Sequence, residues 1–119
     1  MKLKCWKWNR QTDELTEHSI EDMFKAVEHG TWHHDRIVGR DEVNGIIVST
    51  VFLGNDLRFG AGEPLLFETM LFQGGHSEIC DRYCTAAEAR AGHARIRDTV
   101  EKYEGDDLSE AASIVRSWR

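Results

Sequence analysis

The stretch that decides the fold is RIVGRDEVNGIIVSTVFLG, residues 36–54. Asn44 and Gly45 lie near its centre, and both residue types tolerate the positive φ angles of a type I′ turn. Apolar and β-branched residues flank this dipeptide, as they do in antiparallel strands joined by a tight hairpin. The expected register pairs these residues across the turn: Val43 with Ile46, Val38 with Val51, and Ile37 with Phe52.

A second strand pair is predicted further along the chain. PLLFETMLF, residues 64–72, is an apolar run that contains one carboxylate, Glu68. QGGHSEI (73–79) is expected to turn the chain about Gly75, so that a short strand, CDRYCT (80–85), returns beside it. This register places Phe67 opposite Tyr83, Glu68 opposite Arg82, and Leu71 opposite Ile79.

The charge of Glu68 has two interpretations. Opposite charges that face each other across a ladder are mildly stabilising, so Glu68 and Arg82 are expected to form a cross-strand ion pair. The alternative is that Glu68 acts as an acid, a base or a ligand in a shallow site.

Helical spacing marks the end of the chain. Thr85 and Glu88 occupy the two positions of a capping box, which predicts a helix over residues 86–103. Its buried stripe is expected to contain Ala89, His93, Ile96, Val100 and Tyr103. A last helix over residues 107–118 is expected to bury Leu108, Ala111, Val115 and Trp118.

Two segments near the start complete the predicted fold. SIEDMFKAVEHG (19–30) is typical of a short helix capped by Ser19, with Ile20, Met23, Phe24 and Val27 on its apolar face. KLKCWKWN (2–9) alternates and favours a first strand. The pattern predicts an α+β fold, an antiparallel β-meander of about four to five strands with about two to three packed helices, in a single domain spanning residues 1–119.

Composition limits the classes of function. The 119 residues carry a formal net charge of -6, which argues against direct nucleic-acid binding and suits a partner with a basic surface. No apolar stretch reaches the roughly 20 residues of a bilayer-spanning helix. The N-terminal MKLKCWKWNR lacks the apolar core of a signal peptide. Cys5, Cys80 and Cys84 are an odd number of cysteines, which favours free thiols and a cytoplasmic location.

The histidine and cysteine spacings do not predict a metal site. His33 and His34 are adjacent, so their side chains point apart in an extended segment. Cys80 and Cys84 would lie about 13 Å apart on a strand, too far for a disulfide or one metal ion. We therefore expect neither a metal nor a cofactor.

Further candidate binding residues lie on the long helix and in the glycine-rich segment 54–64. His93 is either a core histidine with satisfied hydrogen bonds or a functional one, since Gly92 beside it suggests the close approach of a backbone or a ligand. Asp56 and Arg58 flank a segment that could close over a ligand. With Glu68 and Arg82 these residues complete the candidate set, and no catalytic residue is predicted.

VSTVFLG, GEPLLFETMLF and RYCTAAEARAGH together resemble a family of short uncharacterised proteins of bacteria and their phages. The resemblance covers Val48 to His93 and supplies a location without an established activity. It implies that the following residues belong to one pattern: Ser49, Thr50, Gly54, Phe67, Glu68, Thr69, Arg82, Tyr83, Gly92 and His93. This chain has LGND where the family pattern has LGLDH, so it lacks a loop histidine.

The sequence favours a small non-catalytic binding protein that acts on a macromolecular partner, expected to be a protein. One version is a phage-encoded inhibitor of a host defence or nucleic-acid-handling enzyme, whose basic channel would attract an acidic protein. Catalysis is not favoured, because the nucleophile elbow, the phosphate-binding loop, the dinucleotide fingerprint and the zinc-protease helix are all missing from the sequence.

Two alternatives stay open. One is a small-molecule-binding domain or hydrolase whose pocket contains Glu68, Arg82 and His93. The other is a structural or oligomeric module that uses the strand of Trp6 and Trp8.

Overall fold

The computed structural model describes residues 5–19, 36–54 and 63–117, together with Glu21, Lys25 and Glu28. The elements in chain order are β1 (Cys5–Trp8), β2 (Leu15–His18), β3 (Ile37–Val43), β4 (Ile46–Phe52), β5 (Phe67–Gln73), β6 (His76–Tyr83), α1 (Ala86–Lys102) and α2 (Leu108–Ser117). β1 and β2 form a two-stranded sheet, and the other strands form a four-stranded sheet in the order β3-β4-β5-β6. All pairings are antiparallel, so the predicted α+β class with a meander is confirmed.

The first hairpin turns where the sequence predicts. Val43 pairs with Ile46, and Asn44 and Gly45 have φ angles of 54° and 76°, as a type I′ turn requires. The pairs predicted farther from this turn are wrong, because β3 has a bulge at Val38. Ile37 pairs with Val51 instead of Phe52, and Val38 is the extra residue.

The second hairpin has the predicted register only at its open end. Phe67 pairs with Tyr83 and Glu68 with Arg82, as expected. Leu71 faces Glu78 rather than Ile79, because a bulge at Cys80 shifts the register by one residue. The turn itself is Gly74-Gly75, with φ angles of 53° and 84°, so β6 begins at His76, earlier than predicted.

The four-stranded sheet has two different faces. Along β4, side chains alternate between buried and half-buried. Val48, Thr50 and Phe52 point to the face on which α1 and α2 pack, called here the helix-covered face. Ile47, Ser49 and Val51 point to the opposite side, called here the outer face. This alternation places each candidate side chain on one side of the sheet or the other.

Both terminal helices follow the predicted pattern. The Thr85 hydroxyl accepts a hydrogen bond from the Glu88 backbone N–H and so caps α1. The predicted positions Ala89, His93, Ile96 and Val100 are buried on α1, and Leu108, Ala111 and Val115 are buried on α2. Tyr103 is the C-cap of α1 and packs against the core. Neither α1 nor α2 is long and apolar enough to cross a membrane.

The two-stranded sheet docks at one end of the helix-covered face. Trp8 meets Phe67 edge to face, with 5.6 Å between ring centroids, and it also contacts Phe52. Arg90 of α1 forms an ion pair with Asp13, next to β2. The sequence did not predict β2, because its LTEH segment lacks an apolar alternation.

Several predicted features lie outside the described residues. They are the apolar face of the helix over 19–30, the segment with His33 and His34, the loop residues Asp56 and Arg58, and Trp118. Glu21, Lys25 and Glu28 have helical backbone and exposed positions.

Candidate functional site

A chain of polar side chains divides the core beneath the helices. One apolar cluster gathers around Val48, Leu71, Ile96 and Val100. A second gathers around Trp8, Phe52, Phe67 and Ala89. Between them lie Asp41, His93, Thr50, Thr69 and Tyr83, called here the polar chain. The sheet register brings them together, because Thr50 pairs with Thr69 and the other members lie on the strands and helix beside that pair.

The polar chain is continuous in hydrogen bonds. His93 Nε2 lies 2.7 Å from Asp41 Oδ2, and His93 Nδ1 lies 2.7 Å from Thr50 Oγ1. The hydroxyl oxygens of Thr50 and Thr69 are 2.6 Å apart, and Thr69 Oγ1 is 3.0 Å from the Tyr83 hydroxyl. The chain therefore runs from β3 through α1 to β4, β5 and β6.

The Asp41 end gives the polar chain one direction when the imidazole of His93 is neutral. The Asp41 carboxylate can only accept, so His93 Nε2 carries the proton that is shared with it. In the neutral imidazole Nδ1 is then an acceptor, and Thr50 donates to it. Thr50 in turn accepts from Thr69, which accepts from Tyr83. Every hydroxyl proton on this path has an acceptor, which a buried polar group needs.

Burial separates the inner members of the polar chain from solvent. Thr50 and Thr69 are fully buried, and Tyr83 and His93 are 7% and 9% exposed. Burial raises the pKa of Tyr83, while its hydrogen bond to Thr69 acts in the opposite direction. At the Asp41 end of the polar chain, the hydrogen bond from His93 lowers the pKa of Asp41, and Arg97 makes a further contribution.

The order carboxylate, imidazole, hydroxyl is that of a hydrolase triad, but the geometry does not suit catalysis. A nucleophile must reach its substrate, whereas the Thr50 hydroxyl is fully buried and is bonded to Thr69. The polar chain thus supports a structural role for His93, in which its ring nitrogens join α1 to β3 and β4.

Two glycines make room for this arrangement. A Cβ on Gly92 would lie 2.2 Å from the Tyr83 hydroxyl oxygen, and a Cβ on Gly39 would lie 2.9 Å from His93 Nε2. The close approach that the sequence suggested at Gly92 is therefore made by the ring of Tyr83. The bulge at Val38 places Gly39 opposite Thr50, and glycine has no side chain to clash with the His93 ring.

Glu68 and Arg82 form the predicted ion pair on the outer face. Arg82 Nε donates to Glu68 Oε2 over 2.8 Å, and the side chains are 36% and 8% exposed respectively. Arg36 lies near this pair and donates from Nε to the Phe52 carbonyl. Burial lowers the pKa of Arg36, and the nearby Glu68 charge opposes that shift. A positive group on each side of Glu68 explains how this carboxylate can be buried.

The three candidate residues that the structure describes, Glu68, Arg82 and His93, do not meet in one pocket. Glu68 and Arg82 lie on the outer face, whereas His93 contacts Thr50 on the helix-covered face. Arg82 does line a shallow depression of about 350 Å³ with Leu65, Ile79 and Asp81. Cys80 is buried in the core, and no cluster able to hold a metal ion is found in the part of the chain that the structure describes.

A second depression lies between the two hairpin turns and was not predicted. It has a volume of about 370 Å³. Its lining consists of Glu42, Gly45, Ile47, Phe72, Gln73, Gly74, Gly75, His76 and Ser77. We call it the turn groove. The sequence signals for it are the two glycine turns, but only the register shows that their strands are neighbours in the sheet.

Comparisons with protein-family models, curated proteins and solved structures found no match to this chain. The resemblance to short bacterial and phage proteins therefore stays a prediction.

Proposed function

We propose that this chain is a non-catalytic binding protein whose partner is a protein with a basic surface. One contrast carries the proposal. His93 and the hydroxyl groups beside it are hydrogen-bonded to one another inside the fold. The exposed large apolar side chains of the described residues lie instead on the outer face. These side chains are Ile37, Phe72 and Ile79, which are 36%, 37% and 41% exposed.

The strand register assigns these residues to the outer face. Phe72 pairs with Ile47, Ile79 pairs with Met70, and directly paired residues project from the same side of a sheet. Ile37 pairs with Val51 on that same side. An apolar surface with charged groups around it is typical of a protein interface.

The overall charge points to the kind of partner. A net charge of -6 favours association with a basic surface and accelerates the encounter at low salt. The basic channel of a nucleic-acid-handling or defence enzyme has this character, and a phage-encoded inhibitor is one form of the proposal. Cys5, Cys80 and Cys84 form no disulfide, which suits a cytoplasmic location.

The opposite placement of Glu68 and His93 supports binding over hydrolysis. A pocket that used both residues would have to pass through the sheet between them. The hydrolase alternative also requires a reachable nucleophile, which the buried Thr50 does not provide.

The proposal is tested by comparing two substitutions that add the same charge. Phe72→Asp changes the outer face, and Ala94→Asp changes an exposed position of α1. Proteins captured from a bacterial lysate by each immobilised variant are quantified by mass spectrometry at low and high salt, after melts have shown that both variants fold. We expect a basic protein that binds wild type and Ala94→Asp but not Phe72→Asp, with less capture at high salt. Equal capture by both variants, or no protein retained by wild type, would contradict the proposal.

A further inference from the structure

The turn groove combines an acidic group with an apolar floor. We propose that it receives an arginine side chain of the protein partner. This inference rests on the proposed function, because it names the chemical group by which the outer face would recognise a basic protein.

The register places the relevant side chains in one row across the sheet. Glu42 pairs with Ile47, and Ile47 pairs with Phe72. Neighbouring strands are about 5 Å apart, so the backbones of Glu42 and Phe72 are separated by about 10 Å. An arginine can lay its apolar stem along Ile47 and Phe72 while its guanidinium meets the carboxylate.

The groups that line the turn groove are available for such a contact. Among the residues that the structure describes, none forms a hydrogen bond or an ion pair with the Glu42 side chain, which is exposed. The neighbouring carboxylate of Asp41 is, by contrast, bonded to His93 and close to Arg97. Phe72 is 37% exposed. The acid of the groove is therefore left without a cation by the described fold.

The turns leave the space open. Gly45, Gly74 and Gly75 all have positive φ, and no heavy atom lies within 4 Å of the position where each would carry a Cβ. Side chains are rarely tolerated in this conformation, so the turns keep the groove free of side-chain bulk.

The chemistry of the lining selects a cation with an apolar stem. A carboxylate attracts a guanidinium or an ammonium, and the face of a phenylalanine ring attracts the same groups through its quadrupole. Arginine suits both contacts best, because its planar head can stack on a ring while it donates to a carboxylate. An acidic ligand would be repelled by Glu42.

The test uses a probe and its neutral analogue. N-acetyl-arginine amide and N-acetyl-citrulline amide have similar shapes, but only the first carries a positive charge. Each is titrated into the full chain and followed by amide NMR shifts. We expect saturable shifts at Glu42, Ile47, Phe72 and Gly74 with the arginine probe, and much weaker ones with the citrulline probe.

Two substitutions that remove one negative charge each provide the matched control. Glu42→Gln should weaken binding of the arginine probe about two- to fivefold, the range for an exposed charge pair. Glu17→Gln, at an exposed position of β2, should leave it unchanged. Shifts scattered over all the exposed acids, equal binding of both probes, or equal losses in the two variants would overturn the inference.

The two proposals can fail separately. If the arginine probe does not bind but Phe72→Asp still abolishes capture of a partner, the outer face binds by other contacts and only the arginine site is wrong. If the probe binds at the groove while wild type captures no protein, the proposed function is wrong.

Discussion

The polar side chains on the helix-covered face of the sheet are hydrogen-bonded within the fold, whereas some on the outer face are not. Under the helices, the buried hydroxyls of Thr50 and Thr69 and the ring of His93 are joined in one continuous series of hydrogen bonds. On the outer face, the Glu42 carboxylate has no hydrogen-bond or ion-pair partner among the described residues, and Phe72 is partly exposed. The two faces differ in whether the fold itself supplies partners for their polar groups.

This difference means that the polar groups under the helices help to specify the fold, whereas an exposed group on the outer face, such as Glu42, is able to contact other molecules. A buried polar chain costs free energy unless every member is paired, so it favours the one register and helix position that pair them all. A charged or aromatic group in water has no such requirement, and it can change partners without disturbing the fold. The same strands thus supply a rigid support on one side and, under the proposed function, a contact surface on the other.

The largest effect is expected from Gly92→Ala. Alanine in place of an exposed helical glycine stabilises a protein by about 1 kcal/mol. Here the added Cβ would lie 2.2 Å from the Tyr83 hydroxyl oxygen, so the ring must move and the polar chain is broken. We expect the free energy of unfolding, from urea melts, to fall by about 3 kcal/mol.

A double-mutant cycle isolates that clash. In a Tyr83→Ala background the ring is gone, so the further change Gly92→Ala should cost much less or become favourable. An equal cost in both backgrounds would show that the Tyr83 contact is not the reason for glycine at this position.

The next largest effect concerns the centre of the polar chain. Thr50→Val keeps the shape of the side chain but leaves His93 Nδ1 without a hydrogen-bond partner, and Thr69 keeps only its hydrogen bond to Tyr83. We expect a loss of about 2–3 kcal/mol in the free energy of unfolding. Ser49→Ala, one residue away on the outer face, is the matched control and should change stability by less than about 0.5 kcal/mol. Similar losses of free energy of unfolding in both variants would show that the hydroxyl groups of the two faces do not differ in their contribution to stability.

The Glu68–Arg82 pair is the buried part of the outer face, and its contribution to stability can be measured. Glu68→Ala should cost about 1–3 kcal/mol, because it leaves the charge of Arg82 without its partner. The double change Glu68→Leu with Arg82→Met should cost less than the sum of the single changes, since neither charge is then isolated. Single variants that are as stable as wild type but fail to bind the partner would instead assign Glu68 to the binding surface.

In the first hairpin, the local turn signal predicted the pairing next to it. The Asn44-Gly45 turn sets the pairing of Val43 with Ile46, because positive φ angles fix a two-residue loop. The bulges at Val38 and Cys80 were not predictable, since a bulge reflects tertiary contacts such as the close approach of His93 to Gly39. Each bulge shifts the register by one residue. The predicted pairs were therefore wrong beyond the Val38 bulge in the first hairpin, and between the Cys80 bulge and the turn in the second.

The candidate site was predictable only in pieces. The resemblance grouped Thr50, Thr69, Tyr83 and His93, but their types and spacing do not show that they touch. Asp41 was missed altogether, because a single aspartate on a strand has no periodicity that distinguishes it from a solvated charge. The turn groove was missed because it depends on which hairpins are neighbours, and sequence spacing alone does not give that order.

A smaller effect is expected from pH. Burial raises the pKa of Tyr83 above its ordinary value of 10.0, so the folded state holds this proton more tightly than the unfolded chain does. The stabilisation is fully present below that value and is lost as pH rises through the folded pKa. We therefore expect the stability difference between wild type and Tyr83→Phe to shrink in urea melts between pH 9 and pH 11. A difference that stays constant or grows over this range would contradict the burial of this hydroxyl.

The smallest effect on stability is expected at Glu42, the residue whose charge is proposed to hold the arginine side chain of the partner. Glu42 is exposed and has no partner among the described residues, so Glu42→Gln should change the free energy of unfolding by less than about 0.5 kcal/mol. The same substitution should weaken the arginine contact, because Glu42 is the only acid among the described residues that line the turn groove. Urea melts and probe titrations of one protein sample measure both quantities. A loss of stability above about 1 kcal/mol would mean that Glu42 supports the fold, as the polar chain does, and the two faces would then not differ in the way that the binding proposal requires.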